Sequence, residues 1–320
     1  MFIRQAVQAD FDRLLAHILR DPIGWIDEHI YRRYVVSGNY RANRMWLAED
    51  SAGNIVASAI WWGASSDEHP HTLDCLYVST AVADRVAVGA ALLQAGHAAF
   101  LLRGMQNVPE YHLFLTPGSR GDSAVCEEVE WRRAAAQSAG LTNELERLRY
   151  EWTPGCGLEQ STGRLLFSPE PDDSVFLEAF RRVAVKSLDQ ETRRSLARFG
   201  IEGHARETLE CYSRMRGQRD WWRIASTENG TLVGFAIPSA NEDNPVIGYL
   251  GVVPELRGHG YAGDLLAEAT RILAAQGAER IRADTDTKNL PMATTFESAR
   301  YKNFGVRLVF SGPDPIQWTK

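Results

Sequence analysis

The apolar positions of this 320-residue chain recur with two periods, two and about 3.6, and the order in which these alternate occurs twice. In the first half, Phe2–Ala6 predicts a strand and Phe11–Arg20 a helix. Met45–Ala48 and Ile55–Trp61 predict a hairpin across Gly53-Asn54, followed by a strand at Leu73–Val78 and a helix from about Asp84 to Leu102. Tyr111–Leu115 reads as a strand, Ser123–Ala139 as a helix and Glu146–Trp152 as a closing strand. The second half begins with a strand at Gly163–Ser168, a helix at Asp172–Lys186, and helical pieces at Glu191–Phe199 and His204–Met215. Asp220–Ala225 and Leu232–Ile237 then pair across Glu228-Asn229-Gly230, where glycine supplies a positive φ. Val246–Val253 is a strand, Ala262–Gln276 a helix, Arg280–Asp286 a strand, Pro291–Ala299 a short helix and Val306–Phe310 a closing strand.

Val78 and Val252 stand at equivalent places, the ends of the two third strands. The pattern predicts a duplicated α/β unit. The Gly-, Pro- and Ser-rich stretch from Pro154 to Gly163 marks the division, giving residues 1–153, a linker at 154–163, and residues 164–320.

Composition narrows the function. With 44% apolar and 24% charged residues the chain is of ordinary globular type, not fibrous or disordered. A net charge of −6 with no basic stripe argues against a nucleic-acid partner and suits an amine-bearing substrate. The longest apolar stretches, such as Ala87–Leu102, carry Gln94 and His97 and stop short of a membrane span, so no membrane partner is expected. Met1 leads directly into Phe2-Ile3-Arg4, without a basic-then-apolar signal region. Cys75, Cys126, Cys156 and Cys211 are far apart and form no CxxC pair, so reduced thiols, a cytoplasmic setting and no metal are expected. Asp67, Glu68, His69 and His71 form a polar loop that lacks a further ligand in metal spacing.

The most informative stretch is Gly248-Tyr-Leu-Gly-Val-Val-Pro-Glu-Leu-Arg-Gly-His-Gly-Tyr-Ala-Gly-Asp-Leu-Leu. A strand ends at Pro254, the chain turns through Arg257-Gly258-His259-Gly260, and an amphipathic helix begins at once. Glycines immediately before a helix let backbone N–H groups approach an anion, and the helix N-terminus adds about half a positive charge. A pyrophosphate is the expected guest, with Arg257 as a further charged contact. There is no GxxxxGK[ST] loop, and a dinucleotide loop would carry a third glycine.

Val252-Val253-Pro254-Glu255-Leu256-Arg257-Gly258-His259-Gly260-Tyr261-Ala262 resembles the acyl-CoA signature of the GCN5-related N-acetyltransferase (GNAT) superfamily, [Q/R]xxGxG/A, with Glu255 at the first position. Asn289 to Tyr301 is similar to the family's N-x-x-A-x-x-x-Y-x-x-x-G-F stretch, and the duplication resembles the two-domain members related to mycothiol synthase. The resemblance implies two tandem GNAT domains, each a splayed α+β mixed sheet, and acetyl-CoA or another acyl-CoA as co-substrate. It places pantetheine beside Val252 and Val253, and pyrophosphate on Arg257, Gly258, His259, Gly260, Tyr261 and Ala262, with Asn289 and Phe296 completing the site. The implied reaction is N-acylation of a small amine or short peptide. In the first half the matching segment reads Val78-Ser-Thr-Ala-Val-Ala83-Asp84-Arg85-Val86. Aligned on the valines, Asp84 replaces Gly258 and Val86 replaces Gly260, so this half is expected not to bind CoA.

The family's usual base and acid are missing, since Gly248 and Phe296 stand in their places. Asp284 and Asp286 share one face of a strand and are candidates to hold an ammonium and take its proton; Tyr249 is a candidate to orient substrate or water. Tyr301 is expected to pack, one tryptophan of each pair Trp61-Trp62 and Trp221-Trp222 to lie in a core, and Asn241–Asn244 to be an acidic loop near the acceptor mouth. Two alternatives remain: a CoA-binding sensor without catalysis, and a longer or carrier-protein-bound acyl donor admitted by Gly248 and Gly251. The oligomeric state is left as monomer or homodimer.

Overall fold

The computed structural model describes residues 1–160 and 162–313, so Ser161 of the expected linker and residues 314–320 of the expected second domain lie outside the described residues. In chain order its elements begin β1 (Phe2–Gln5), α1 (Phe11–Ile18), α2 (Glu28–Ser37), β2 (Met45–Glu49), β3 (Ile55–Trp62), β4 (Thr72–Val78), α3 (Arg85–Leu102), β5 (Glu110–Leu115) and α4 (Ser123–Ser138). They continue as β6 (Asn143–Trp152), β7 (Leu166–Ser168), α5 (Asp173–Ala184), α6 (Gln190–Arg214), β8 (Arg223–Ser226) and β9 (Leu232–Ala240). The last are β10 (Pro245–Val252), α7 (Tyr261–Ala275), β11 (Ile281–Asp286), α8 (Leu290–Ser298) and β12 (Lys302–Ser311).

Two units result, and their boundary corrects the expected one. The first joins Met1–Glu146 to Val306–Pro313, and the second holds Arg147–Gly305. In the first, the strand order β1-β2-β3-β4-β5 is completed by β12, which pairs antiparallel with β5 from Val306↔Leu115 to Phe310↔Tyr111. In the second, β7-β8-β9-β10-β11 is completed by β6, antiparallel to β11 from Ile281↔Trp152 to Asp286↔Arg147. Each half therefore closes with the other half's last strand. Apolar residues alternate at Leu148, Tyr150 and Trp152 in β6 and at Val306, Leu308 and Phe310 in β12, and this local pattern does not say which sheet each will join.

Each sheet buries both faces. In the first unit α3 and α4 cover one face, around Trp46, Trp61, Phe100 and Trp131, and α1 and α2 cover the other, around Tyr31, Tyr34 and Tyr40. In the second, α7 and α8 pack Leu265, Leu266, Leu273 and Phe296 on Tyr150 and Trp152, while α5 sets Phe176, Phe180 and Val183 on Phe235. Helix α2 was not predicted, because Tyr31 and Tyr34 are its only buried residues and no apolar stripe marks it; its cap, Asp27 accepting from Ile30 N at 2.7 Å, was legible. The two helical pieces expected between Glu191 and Met215 are both present, and α6 breaks between them at Gly200 (φ +67°). Helix α3 is long and apolar enough to cross a membrane by length and composition, yet Val88, Leu92, Leu93 and Phe100 are buried in the first unit's core.

Candidate active site

The site begins where β10 leaves its neighbour. β10 and β11 run parallel, and Val246↔Arg282, at their N-terminal ends, is the one registered pair between them among the described residues. On its other edge β10 stays paired with β9 as far as Val252↔Gly234, with a bulge at Gly248 that bends the strand. Gly248 is closed in: a Cβ there would lie 3.0 Å from Ile237 O and 3.1 Å from Tyr212 Cε1, and the Tyr212 hydroxyl donates to Gly248 O at 2.9 Å. Gly251 is likewise covered, since a Cβ would fall 2.3 Å from Val183 Cγ1. Neither glycine opens a channel for a longer acyl chain; both admit close packing instead.

One cavity of about 610 Å³ lies along β10 towards α7, bounded by Tyr249–Val252, Lys186–Asp189, Gly258, Gly260–Ala262, and Asn289 with Met292 of α8. Gly258 (φ +83°) and Gly260 (φ +80°) hold left-handed backbone, which L side chains resist. Gly260 is the N-cap of α7 and offers no side-chain acceptor, so the first N–H groups of the helix are left to a guest. Arg164 borders this loop, donating to His259 O at 3.0 Å and to Asp264 Oδ2 at 2.5 Å, and Asp264 also accepts from Thr162 Oγ1 at 2.7 Å. Lys186, the other cation here, holds a left-handed φ of +54°.

A second cavity, of about 390 Å³, lies between α6 and the strands β10 and β11. Asp189, Glu191, Glu207 and Asp284 line it with Arg147 and His204, alongside Tyr212, Tyr249, Ile247 and Phe296. Four carboxylates facing one arginine make it a cation-attracting space. Asp189, Tyr249, Leu250, Asn289 and Met292 line both cavities and form the wall where they meet. Burial pushes the Tyr249 hydroxyl up to about 12, so it keeps its proton at neutral pH. Its ring is fixed between Phe180 and Tyr212 and edge-on to Phe235.

This geometry meets a known family. Residues 188–299 match the profile of the Acetyltransferase (GNAT) family, and that span carries the bulged strand, the glycine loop and both cavities' shared wall. Residues 188–299 form a GNAT domain. A GCN5-related N-acetyltransferase from Sphaerobacter thermophilus aligns with 98% of this chain and 97% of its own at 16% identity and a TM-score of 0.58, so both units share that fold. A GCN5-related glucosamine N-acetyltransferase region of a fungal multi-domain GH3 β-N-acetylglucosaminidase aligns with 96% of this chain and 38% of its own, at 16% identity and a TM-score of 0.52. A tandem GNAT protein from the clavulanic acid biosynthesis pathway aligns at 15% identity and a TM-score of 0.47 over 98% and 99% of the two chains. Curated protein sequences contain no significant match.

Within the GNAT domain the expected ligand-binding residues separate. Val252, Gly258, Gly260, Tyr261, Ala262 and Asn289 line the first cavity. Arg257 reaches it too, but its side chain is spent on main-chain carbonyls: Val252 O at 3.1 Å, Lys186 O at 3.0 Å and Val183 O at 2.7 Å. It braces the loop on the end of α5. Val253 is fully buried among Phe176, Phe180 and Phe235, and His259 turns its ring onto Tyr261 at 6.0 Å. Phe296 lines the second cavity rather than the first and stacks on Tyr150 at 5.0 Å, as a core aromatic.

The catalytic candidates also separate. Asp284 lines the second cavity, 3.8 Å from Arg149 Nε. Asp286 lines neither; it is 2% exposed and accepts from Gln190 N at 2.5 Å, anchoring the start of α6. Burial and the nearby Asp189 carboxylate push Asp286 up, against the opposing pull of that hydrogen bond and Arg147. Tyr301 packs as expected, its hydroxyl 2.7 Å from Thr270 Oγ1. Asn241–Asn244 is a hairpin tip, Asn241 Oδ1 accepting from Asp243 N and Asn244 N, and it lines neither cavity. Trp61 and Trp222 are core, while Trp62 packs on Tyr34 and Trp221 on the α7 side, so neither forms a groove.

Three groups were not singled out by sequence. Arg147 arrives on β6, the exchanged strand, 3.6 Å from both Asp189 and Asp286, and nothing local links it to a site so far along the chain. Arg164 falls in the stretch read as linker and strand. His204 was read as the start of a helix; its link to Ser195 and Glu207 exists only because α6 breaks at Gly200.

Proposed function

We propose that this protein is an acyl-CoA-dependent N-acyltransferase, acetyl-CoA its donor, acting through the second unit on the primary amine of a small molecule or short peptide. The observation that carries this reading is the pair of cavities meeting at Tyr249, Leu250, Asn289 and Met292, one ending in the glycine loop and the other lined by carboxylates. The residues present fit an acyl-CoA: the left-handed glycines and the uncapped start of α7 suit a pyrophosphate, with Arg164 and Lys186 as flanking cations. The bound donor supplies a thioester carbonyl open to attack by nitrogen. Asp284, Asp189 and Glu191 attract and orient the ammonium, while Ile247, Tyr212 and Phe296 give its carbon body an apolar wall. Tyr249 holds a proton at the meeting point, as donor to the sulfur. A cytoplasmic setting accompanies this reading, with the described cysteines all unpaired.

The test is calorimetric titration with acetyl-CoA followed by thiol release on adding phenethylamine, 1,4-diaminobutane, glucosamine or a dipeptide. One equivalent bound, with turnover of at least one amine, is the expected outcome. Binding without turnover of any amine would favour a sensor instead, and two equivalents would give the first unit a working site.

A further inference from the structure

The carboxylates that draw an ammonium into the second cavity also raise the difficulty of removing its proton, and the acyltransferase reading, on which this inference rests, needs a group to do so. The family's base position is Gly248, enclosed by Tyr212 and Ser239. Asp286 is committed to Gln190 N. A different group in the same cavity has the required lone pair.

His204 is 4% exposed and lines the cavity. Ser195 Oγ donates its only proton to Glu207 Oε2 at 2.5 Å, a charge-assisted bond. Ser195 Oγ therefore accepts in its other contact, 3.0 Å from His204 Nδ1, and Nδ1 must carry the hydrogen. In the neutral ring this leaves Nε2 with a free lone pair. Nε2 is buried and has no hydrogen-bond partner among the described residues. A buried acceptor without a donor is costly, and an N–H from a guest that reached Nε2 would satisfy it.

We propose that His204 Nε2 is the proton acceptor for the amine, with Ser195 and Glu207 as positioning residues that set its tautomer. The bound ammonium first releases one proton to solvent, and His204 Nε2 takes the second as the neutral amine's lone pair forms the C–N bond. The C–S electron pair leaves with sulfur, which takes a proton from Tyr249, and Tyr249 and the imidazolium then exchange protons with solvent. Burial holds His204 below the ordinary histidine range, opposed by the Glu207 and Asp189 carboxylates. Glu191, Asp284, Arg147, Cys211, Tyr212 and Tyr249 are the other titratable groups lining this cavity. The ring is thus neutral and ready to accept at neutral pH.

Two measurements test this. Nitrogen NMR of the protein alone should show His204 protonated at Nδ1 and bare at Nε2, and titrating below the ordinary histidine value. With acetyl-CoA and phenethylamine, His204→Gln should lower kcat by roughly 100-fold, with acetyl-CoA affinity by calorimetry unchanged. Ser195→Ala should alter the tautomer ratio and lower kcat less. An Nε2-protonated ring, or a His204→Gln rate within a few-fold of the parent, overturns the proposal while leaving the acyltransferase reading intact. Failure of the parent protein to bind acetyl-CoA or to acylate any amine overturns that reading, and the role of His204 with it.

Discussion

Each of the two units carries the same strand–loop–helix, β4 to α3 in the first and β10 to α7 in the second. In both, an arginine after the strand donates to its last carbonyl, Arg85 Nε at the start of α3 to Val78 O at 3.2 Å and Arg257 Nε in the loop to Val252 O at 3.1 Å. In both, the neighbouring parallel strand is registered only near its start among the described residues. The helix starts differ. Asp84 caps α3 with its own carboxylate, accepting from Ala87 N at 2.9 Å, whereas Gly260 leaves α7 uncapped. Val78 to Arg85 is also two positions shorter than Val252 to Tyr261, so Asp84 falls at the place of Gly260, not that of Gly258 as alignment on the valines had it.

The grooves differ more than the loops do. Along β4, Trp25 Nε1 donates to Asp74 O at 3.3 Å and Arg132 Nε to Leu76 O at 3.1 Å. Arg132 is fully buried and held by Asp21 at 2.7 Å and Glu128 at 2.5 Å, and Arg85 adds a second pair to Glu128. The position matching Leu76 is Leu250, which lines both cavities of the second unit. One copy has thus turned the strand edge into a buried ion-pair network, and the other keeps that edge open to a guest. A duplicated fold retains the scaffold in both copies while needing the site in one.

The comparison can be broken most directly at the loop. Gly258→Asp and Gly260→Val put a carboxylate and a β-branched side chain at left-handed backbone positions, each strained by roughly 1–2 kcal/mol. Acetyl-CoA affinity measured by calorimetry should fall by more than about 100-fold with either change, taking anion repulsion together with strain. Unchanged affinity would remove the loop from the binding site. Next in size, Arg132→Ala strips the counter-charge from buried Asp21 and Glu128, and should cost roughly 3–5 kcal/mol in urea unfolding. It should create no second acetyl-CoA site, because Asp84 still caps α3. A gain of binding would show that Arg132 alone closes the first unit.

The smallest expected effect is on pH. Burial holds His17 and His97 at about 4, so both stay neutral in the folded protein while the unfolded chain takes up protons below about 6.5. For Glu128, burial raises the carboxyl, but hydrogen bonds from Arg85, Trp131 and Arg132 outweigh it and hold the group at about 2. Stability should therefore decline as pH falls from about 6.5 to 4 through the histidines, then from about 4.5 to 2 through Glu128. A urea midpoint that stays flat between pH 7 and pH 4 would contradict the buried neutral histidines.

Local pattern and spacing determined most of this protein's outline. The period of two and 3.6, the turn glycines and the caps place nearly every strand and helix, because each depends on neighbours within a few residues. The glycine pair ahead of α7 was equally legible, since only glycine suits that backbone. Tertiary structure alone decided what depends on distant partners. β6 and β12 carry similar alternating patterns, and only sheet assembly sends each to the opposite half, bringing Arg147 to Asp189. Arg257 looked like a free cation until packing placed three carbonyls around it. Ser195, His204 and Glu207 become one hydrogen-bonded unit only where α6 turns at Gly200. Hydrogen-bond register and burial join residues far apart in the chain, and the energy that fixes such meetings belongs to the assembled fold rather than to any one segment.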